Sequence, residues 1–490
     1  MMKLKELLRS AGYEVSDAIG EIEVSGISSD SRRVAQGNVF VAIRGLHADG
    51  YVHIGEAISR GAVFVVAERR VAGIPSLVVG SARAALSRLF DAWYGHPAAN
   101  LSLIGITGTN GKTSTLSMLE AILLAAGHTC GVIGTVAARC NGQVISAPNA
   151  DKLANMTTPD PAELYRLLAD MRDAGARYVL MEVTSHALCF DKVEPLFFKR
   201  AVFTNLTPDH LDLHGDMAGY FMEKRKLFSR CEMGVISLFG AYGQSLSDSI
   251  TAPFLTVGRG NVTKVLANGA TGVCFTLLHE GEAIELSLPV PGDFSVENAA
   301  LAAMTALSLG VEAKTVRAAL ADFGGVCGRM ERVAQNDLDI SVFLDYAHTP
   351  DALEKLLLSV RRFRLPRQRI ILLFGCGGDR DRSKRRKMGR IATRLADLTV
   401  ITSDNPRSES PSAIIADIVK GIDKEKPYKI IEDRREAIAF AVNVARPGDI
   451  LLLAGKGHEE YEIRGRERLA FSERDIVTAC MAEKQREFEA

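Results

Sequence analysis

Short apolar runs alternate with longer helical stretches along most of this chain. LSLIGI at 101–106 is apolar and β-branched, which predicts a buried strand. Leu116, Leu119, Ile122 and Leu123 then recur at helical spacing, and Gly127 supplies a stop signal. Before them, runs at 39–43, 63–67 and 77–79 and a helical stretch at 81–94 lead to His96-Pro97, which reads as a linker. Apolar runs at 178–183 and 201–203 each end in polar residues. Residues 251–289 predict irregular β structure, and 298–309 an alanine-rich helix. Past Gly328-Arg329-Met330-Glu331 the composition shifts, and strands at 342–344, 370–374, 398–401 and 450–453 alternate with helices. Continuous apolar strands between helices predict an α/β fold whose parallel sheets are covered on both faces. In such sheets ligands bind beyond the carboxyl ends of the strands.

That rule draws attention to the residues after 101–106. Thr107-Gly108-Thr109-Asn110-Gly111-Lys112-Thr113 stands between strand and helix. A glycine-rich turn there lets backbone N–H groups approach phosphate oxygens, and the helix N-terminus adds its positive end. Lys112 can reach the terminal phosphates, and the Thr113 hydroxyl suits a phosphate-bound Mg²⁺. Ile106 occupies the first glycine position of the longer phosphate-loop pattern, so the motif here is the shorter GTNGKT. It licenses nucleotide binding and phosphoryl chemistry without specifying a reaction.

Other residues carry chemistry less specifically. Glu182 ends an apolar strand, where a carboxylate would hold Mg²⁺ or merely cap the strand end. Residues 207–214 (TPDHLDLH) begin like a helix, with Thr207 as N-cap and Pro208 in the first turn. His210 and His214 would share a face, serving either a second Mg²⁺ or a capped, solvated helix. Lys224, among Glu223, Arg225 and Lys226, is by itself one more helix lysine. The basic run at 380–390 follows a glycine loop, which favours an anionic small molecule over nucleic acid.

Composition narrows the class. With 490 residues, about three domains are expected. Hydrophobic content of 47% fills several cores, and a formal net charge of +0 argues against a dominant nucleic-acid or membrane-surface role. Eight cysteines without a CxxC pair suggest reduced core residues rather than a zinc site or disulfide framework. The start MMKLKELLRSAGYEV has no long apolar core, and no later run reaches the ~18 apolar residues a spanning helix needs. A cytoplasmic protein is expected.

Several stretches, taken together and in order, resemble the Mur ligase family, ATP-dependent amide ligases of peptidoglycan synthesis. They are DSR (30–32), GTNGKT, NMTTP (155–159), MEVTSHAL (181–188), FTNLTPDHLDLHG, GRME, DYAHTPDAL, GCGGDRD, DNPR and GKGHE. The resemblance implies a UDP-sugar-binding domain (1–98), a central ATP-binding domain with a P-loop ATPase-type, mostly parallel sheet (99–330), and a Rossmann-like amino-acid-binding domain (331–490). It implies that Lys112, Lys224, His210 and Glu182 are catalytic. ATP would be held by Gly108, Thr109, Asn110, Gly111, Lys112 and Thr113, with Asn298 on the adenine side, Arg329 facing phosphate and Asp345 on the ribose. Ser31, Thr157, Thr158, Ser185 and Lys192 would hold the UDP-sugar-dipeptide. Thr113, Glu182, His210 and a CO₂-derived carbamate on Lys224 would serve two Mg²⁺ ions; a carbamate turns a repelling cation into a ligand.

The acceptor follows from Asp404-Asn405-Pro406-Arg407, which resembles the signature of the diaminopimelate-adding members. Diaminopimelate carries a second carboxylate, and an arginine fork pairs with it bidentately. Arg385, Asp404, Asn405, Arg407, Gly455 and Glu459 would form its site. The expected reaction joins meso-diaminopimelate to the D-glutamate γ-carboxyl of UDP-N-acetylmuramoyl-L-alanyl-D-glutamate through an acyl phosphate. A monomer acting on small molecules, with no nucleic-acid or membrane partner, is expected. The chain departs from the family pattern at Phe190 and Lys192 (usually glutamine and arginine), at Glu223 (usually alanine) and in VISLFG at 235–240. Lys192 keeps a charge without the fork, and Glu223 stands where it would shift the pKa of Lys224. Folylpolyglutamate synthase-like enzymes and a non-catalytic nucleotide-binding relative are the rival readings.

Overall fold

The computed structural model describes residues 2–14, 21–45, 49–146, 156–267, 269–333 and 338–489. Asn155, the first residue of the NMTTP stretch, lies outside the described residues. Three sheets carry the α/β architecture. In the first, Gly26–Ser28, Asn38–Val41, Ala62–Ala67 and Ser76–Val78 pair in parallel, in chain order. Successive side chains of a strand point to opposite faces, and here they divide between two cores. Val39, Val41, Phe64 and Val66 pack with the helix Ala82–Trp93, whereas Phe40, Val65 and Ala67 pack with Ile54 and Ala57.

The central sheet has eight strands, in the order Gln143–Ser146, Ala138–Cys140, Cys130–Ile133, Tyr178–Glu182, Ser102–Thr107, Phe198–Phe203, Cys231–Ser237 and Phe254–Val257. The last six are parallel, and the first two add antiparallel at one edge. Register sets the site: Glu182 lies opposite Ile106, so its carboxylate stands beside the phosphate loop. The helix Lys112–Ala125 shares one hydrophobic core with Asp293–Ser308, whose alanines let the two backbones approach closely.

The third sheet orders Glu331–Val333, Ser341–Asp345, Ile450–Ala454, Ile370–Phe374, Leu398–Ile401 and Tyr428–Ile430, parallel except for the first. Asp345 and Phe374 both register with Ala454, and Phe374 with Ile401. Four strands therefore end level, and the polar loops that follow them share one edge.

Two expectations need correction. Residues 251–289 are more ordered than expected: Val262–Ala267, Val273–His279 and Glu282–Leu288 make an antiparallel sheet with a register shift between Thr263 and Leu266. Its tight turn has Glu280 and Gly281 at φ 49° and 83°, the two left-handed residues that match the twist of a hairpin. Nor does a helix start at Thr207; the helix is Leu211–His214, preceded by His210 at φ 53°. The phosphate loop captures Thr207 instead. Its N–H donates to Thr109 Oγ1 at 3.0 Å, and that hydroxyl donates to the Thr207 carbonyl at 3.2 Å.

Candidate active site

Two glycines shape the phosphate loop. Gly108 and Gly111 have φ of 150° and 84°, and a Cβ on them would stand 1.9 Å from Thr204 Oγ1 and 2.4 Å from Asn298 Oδ1. The loop is braced from the next strand: Thr109 N–H donates to the Asn205 carbonyl (2.9 Å), Asn110 N–H to Asn205 Oδ1 (3.0 Å), and Thr204 Oγ1 to the Asn110 carbonyl (2.6 Å). Asn110 Nδ2 also donates to Asp351, in the helix after the strand Ser341–Asp345, at 3.1 Å. The loop thus touches the third domain directly.

Two lysines meet one carbonyl. Lys112 Nζ donates to Gly108 O and Thr109 O at 2.9 Å, and Lys224 Nζ donates to the same Gly108 O at 2.9 Å. Lys224 is 2% exposed, and its ammonium lies 4.8 Å from the Tyr220 ring. Burial, reinforced by the charge of Lys112, pushes the Lys224 amine well below its ordinary range. Burial also lowers Lys112, against the pull of Glu182. Glu223 is turned away to pair with Lys226 at 2.7 Å, and it is not among the charges that shift Lys224.

Glu182 is the polar hub. Its carboxylate accepts from Thr113 Oγ1 (3.0 Å), Thr135 N–H (2.9 Å) and Thr135 Oγ1 (3.1 Å). Thr158 Oγ1 donates to its main-chain oxygen at 2.8 Å, and Thr135 reaches Thr157 at 3.2 Å. Lys192 joins from the side, with Nζ 2.9 Å from Asp160 and 3.4 Å from the Thr158 carbonyl. Phe190 is covered by the Arg83 guanidinium, 4.4 Å above its ring.

His210 packs edge-on to His186 (4.8 Å) with Asp209 3.4 Å away, and burial outweighs that carboxylate to lower its pKa. His214 stacks on Tyr220 at 5.0 Å and bonds Ser185 Oγ at 2.9 Å. Among the described residues, no group of three or more His, Cys, Asp or Glu is placed to hold a metal ion. An ion here would need hydroxyl or phosphate oxygens as well.

Beside the phosphate loop, Asn298 is buried and accepts from Thr115 Oγ1 at 3.3 Å. Arg329 lies over the Tyr346 ring at 4.7 Å, and its buried Nε has no hydrogen-bond partner among the described residues. An unpaired buried guanidinium N–H is costly, and an anion would satisfy it. Asp345 accepts from the N–H groups of Met330 and Ala347 at 2.8 Å; burial nonetheless raises its pKa. Ser31 bonds within the first domain, donating to Glu56 at 2.7 Å.

The polar loops at the edge of the third sheet are wired internally. Asn405 Nδ2 donates to Glu459 at 2.7 Å, and Asn405 Oδ1 accepts from Lys456 Nζ (3.1 Å) and Ile463 N–H (3.0 Å). Lys456 is fully buried, 3.7 Å from Asp404. Burial works to raise the Asp404 pKa, but Lys456, Arg434 and Lys384 outweigh it and leave the carboxyl low. Glu459 is raised, by burial and by Asp404. Gly455, at φ 116°, lets Asp404 approach; a Cβ there would stand 2.7 Å from Oδ2. Arg407 donates to the Gly378 carbonyl at 2.9 Å. Arg385, 1% exposed, gives its fork to Glu409 (3.0 and 2.8 Å) and Asp417 (3.1 Å). Thr135, Asp351, Lys456 and Glu409 were not foreseen. Asp351 and Lys456 stand inside recognisable motifs, while Thr135 and Glu409 carry no sequence signal.

A glycine-built phosphate loop facing a second α/β sheet across an interdomain contact defines a nucleotide-binding enzyme of several domains. Family models match in three places: "Mur ligase family, catalytic domain" at 23–93, "Mur ligase middle domain" at 106–306 and "Mur ligase, glutamate ligase domain" at 328–457. A UDP-N-acetylmuramoyl-L-alanyl-D-glutamate--2,6-diaminopimelate ligase of Caldanaerobacter subterraneus subsp. tengcongensis is 40% identical, covering 99% of this chain and 100% of the relative. The protein of the same name from Gloeobacter violaceus is 40% identical, covering 99% of each. A solved structure of a ligase of that name superposes with a TM-score of 0.70 at 28% identity, covering 99% of both chains. Mycobacterium tuberculosis folylpolyglutamate synthase, at 20% identity and TM-score 0.63 over 82% of this chain, shares the fold alone. The chain belongs to the Mur ligase family, enzymes that form amide bonds with ATP.

Proposed function

We propose that this chain adds meso-2,6-diaminopimelate to the D-glutamate γ-carboxyl of UDP-N-acetylmuramoyl-L-alanyl-D-glutamate. A carboxylate oxygen attacks the γ-phosphorus and ADP leaves; the neutral amine of the acceptor then attacks the acyl carbon and phosphate departs. The observation that carries this reading is the meeting of Lys112 and Lys224 on the Gly108 carbonyl. Two amines so close in a buried place favour a polyanion beside one and a neutral, CO₂-reactive form of the other. Thr113, Glu182, His210 and a carbamate on Lys224 are the groups that would hold two magnesium ions. Magnesium, when bound, offsets phosphate charge.

The chain's own residues supply positioning. Lys112 and Arg329 face the transferring phosphoryl group, while Asn298 and Asp345 fix the nucleoside. Thr157, Thr158, Ser185 and Lys192 orient the dipeptide, and Ser31 the UDP-sugar. Holding three substrates across domain clefts supplies much of the rate. The domain limits follow the same reading: 1–98 for the UDP-sugar, 99–330 for ATP and 331–490 for the amino acid. Asn405, Glu459 and Arg407 suit an acceptor with an ammonium group and a second carboxylate, and Asp404, Arg385 and Gly455 shape its walls. We place this monomeric enzyme in the cytoplasm, where these substrates are found; among the described residues no helix is long and apolar enough to cross a membrane.

The test is phosphate release from ATP and UDP-N-acetylmuramoyl-L-alanyl-D-glutamate with and without meso-diaminopimelate. Release dependent on all three supports the proposal. Release with a folate and glutamate instead, or ATP binding without turnover, would replace it with one of the rival readings.

A further inference from the structure

We propose that Glu409 is a positioning residue that holds Arg407 in the acceptor site and thereby sets the preference for a dicarboxylic diamine; this deepens the ligase reading above and rests on it. Arg407 is held at both ends. Its backbone, at φ 52°, donates to the Ile463 carbonyl at 3.0 Å, and its guanidinium donates to the Gly378 carbonyl at 2.9 Å. The side chain therefore points where the glycine loop at 375–379 lets it point.

That loop is fastened by a reciprocal exchange with the residues after Arg407. Asp379 N–H donates to Glu409 at 2.7 Å, and the Asp379 carboxylate accepts from Ser408 N–H (3.1 Å) and Ser408 Oγ (2.6 Å). Gly378 N–H donates to the Asn405 carbonyl at 2.9 Å. Glu409 also takes the fork of the buried Arg385 and pairs with Arg382 at 2.9 Å. One carboxylate thus joins the helix Ser383–Leu395, the glycine loop and the Arg407 loop. It also offsets the charges of Arg385, on that helix, and of Arg382, just before it, in a corner where Arg380 and Arg407 already repel each other. Hydrogen bonds from Arg385 hold the Glu409 carboxyl down at about 2, so it is ionised at any pH at which the enzyme would work. Without it, Arg382 and Arg385 lose their shared carboxylate, Asp379 N–H loses its acceptor, and the Gly378 carbonyl is free to shift under Arg407.

The test compares Glu409→Gln, Glu409→Asp and Ser408→Ala with the wild type on meso-diaminopimelate and L-lysine. Glu409→Gln is expected to raise the KM for meso-diaminopimelate about tenfold and to erode its advantage over lysine by a similar factor. The KM values for ATP and the UDP-sugar-dipeptide stay within about twofold. Ser408→Ala, which leaves Arg385 paired, gives a smaller change in the same direction, and Glu409→Asp recovers part of the loss. An unchanged diaminopimelate KM and lysine ratio in both Glu409→Gln and Ser408→Ala would overturn the proposal. So would equal losses for all three substrates with a lowered Tm, which is the mark of a general structural role. A wild type that releases no phosphate in response to diaminopimelate would instead defeat the ligase reading itself.

Discussion

The phosphate loop and the proposed acceptor edge both lie at strand ends, yet their cations are partnered differently. At the phosphate loop the lysines rest on a backbone carbonyl without a paired carboxylate among the described residues: Lys112 and Lys224 share Gly108 O. At the third sheet's edge carboxylates stand beside the cations: the Arg385 fork pairs with Glu409 and Asp417, and Lys456 lies beside Asp404, although Lys456 and Arg407 also donate to backbone carbonyls. A triphosphate would bring enough charge to displace weak carbonyl contacts, which suits a loop whose lysines lack a paired carboxylate. A zwitterionic amino acid brings little net charge. In the proposed reading its site is the more rigid one, and discrimination would come from where Arg407 is held.

The largest expected effect breaks the phosphate-loop side of this comparison. Lys112→Ala should cut ADP formation about 10³-fold while the protein stays folded, since preorganised charge at the transferring group is lost. Turnover within twofold of wild type, measured by coupled ADP release, would refute its role. Lys224→Ala should cost about 10²-fold. Removal of dissolved CO₂ should slow only the lysine-containing enzyme, with bicarbonate restoring it; mass spectrometry of native protein would detect the added carboxyl.

The rigid side gives smaller, selective effects. Arg407→Asn should lower kcat/KM for diaminopimelate about 10–100-fold, equivalent to about 1.4–3 kcal/mol, with little change for lysine. Equal losses for the two acceptors would remove its discriminating role. The smallest effect sharpens the electrostatics of the phosphate loop. Burial depresses Lys224, so between its folded and unfolded values the unfolded state binds the extra proton. Wild-type stability therefore rises with pH through that window, and Lys224→Met should lack this dependence. The stability advantage of Lys224→Met at pH 7 should shrink toward pH 10, by at most about 1.4 kcal/mol per pH unit. Parallel denaturant curves at each pH would show it.

Sequence patterning reached far into this fold because most elements are locally determined. The strand Ser102–Thr107, the helix Lys112–Ala125 and the level strand ends at Asp345, Phe374, Ile401 and Ala454 all follow from apolar runs that stop at polar residues. It failed where partners are distant in sequence. Thr207 and Pro208 look like a helix start, yet Thr109, 98 residues away, takes the hydrogen bonds. Lys224 looks like any helix lysine until the fold carries it 116 residues back to Gly108. Glu409 looks like a surface acid; only the packing of two loops gives it Arg385 and Asp379 as partners. Glu223 misled for a simpler reason: at helical spacing it meets Lys226, three residues on, rather than its neighbour Lys224.

The account depends on activation of a carboxylate by phosphorylation. UDP-N-acetylmuramoyl-L-alanyl-D-glutamate carrying ¹⁸O in the γ-carboxyl, turned over with ATP and meso-diaminopimelate, tests that directly. One labelled oxygen should appear in the released inorganic phosphate for each amide formed. Unlabelled phosphate alongside product, or label in AMP with pyrophosphate as the by-product, would contradict it.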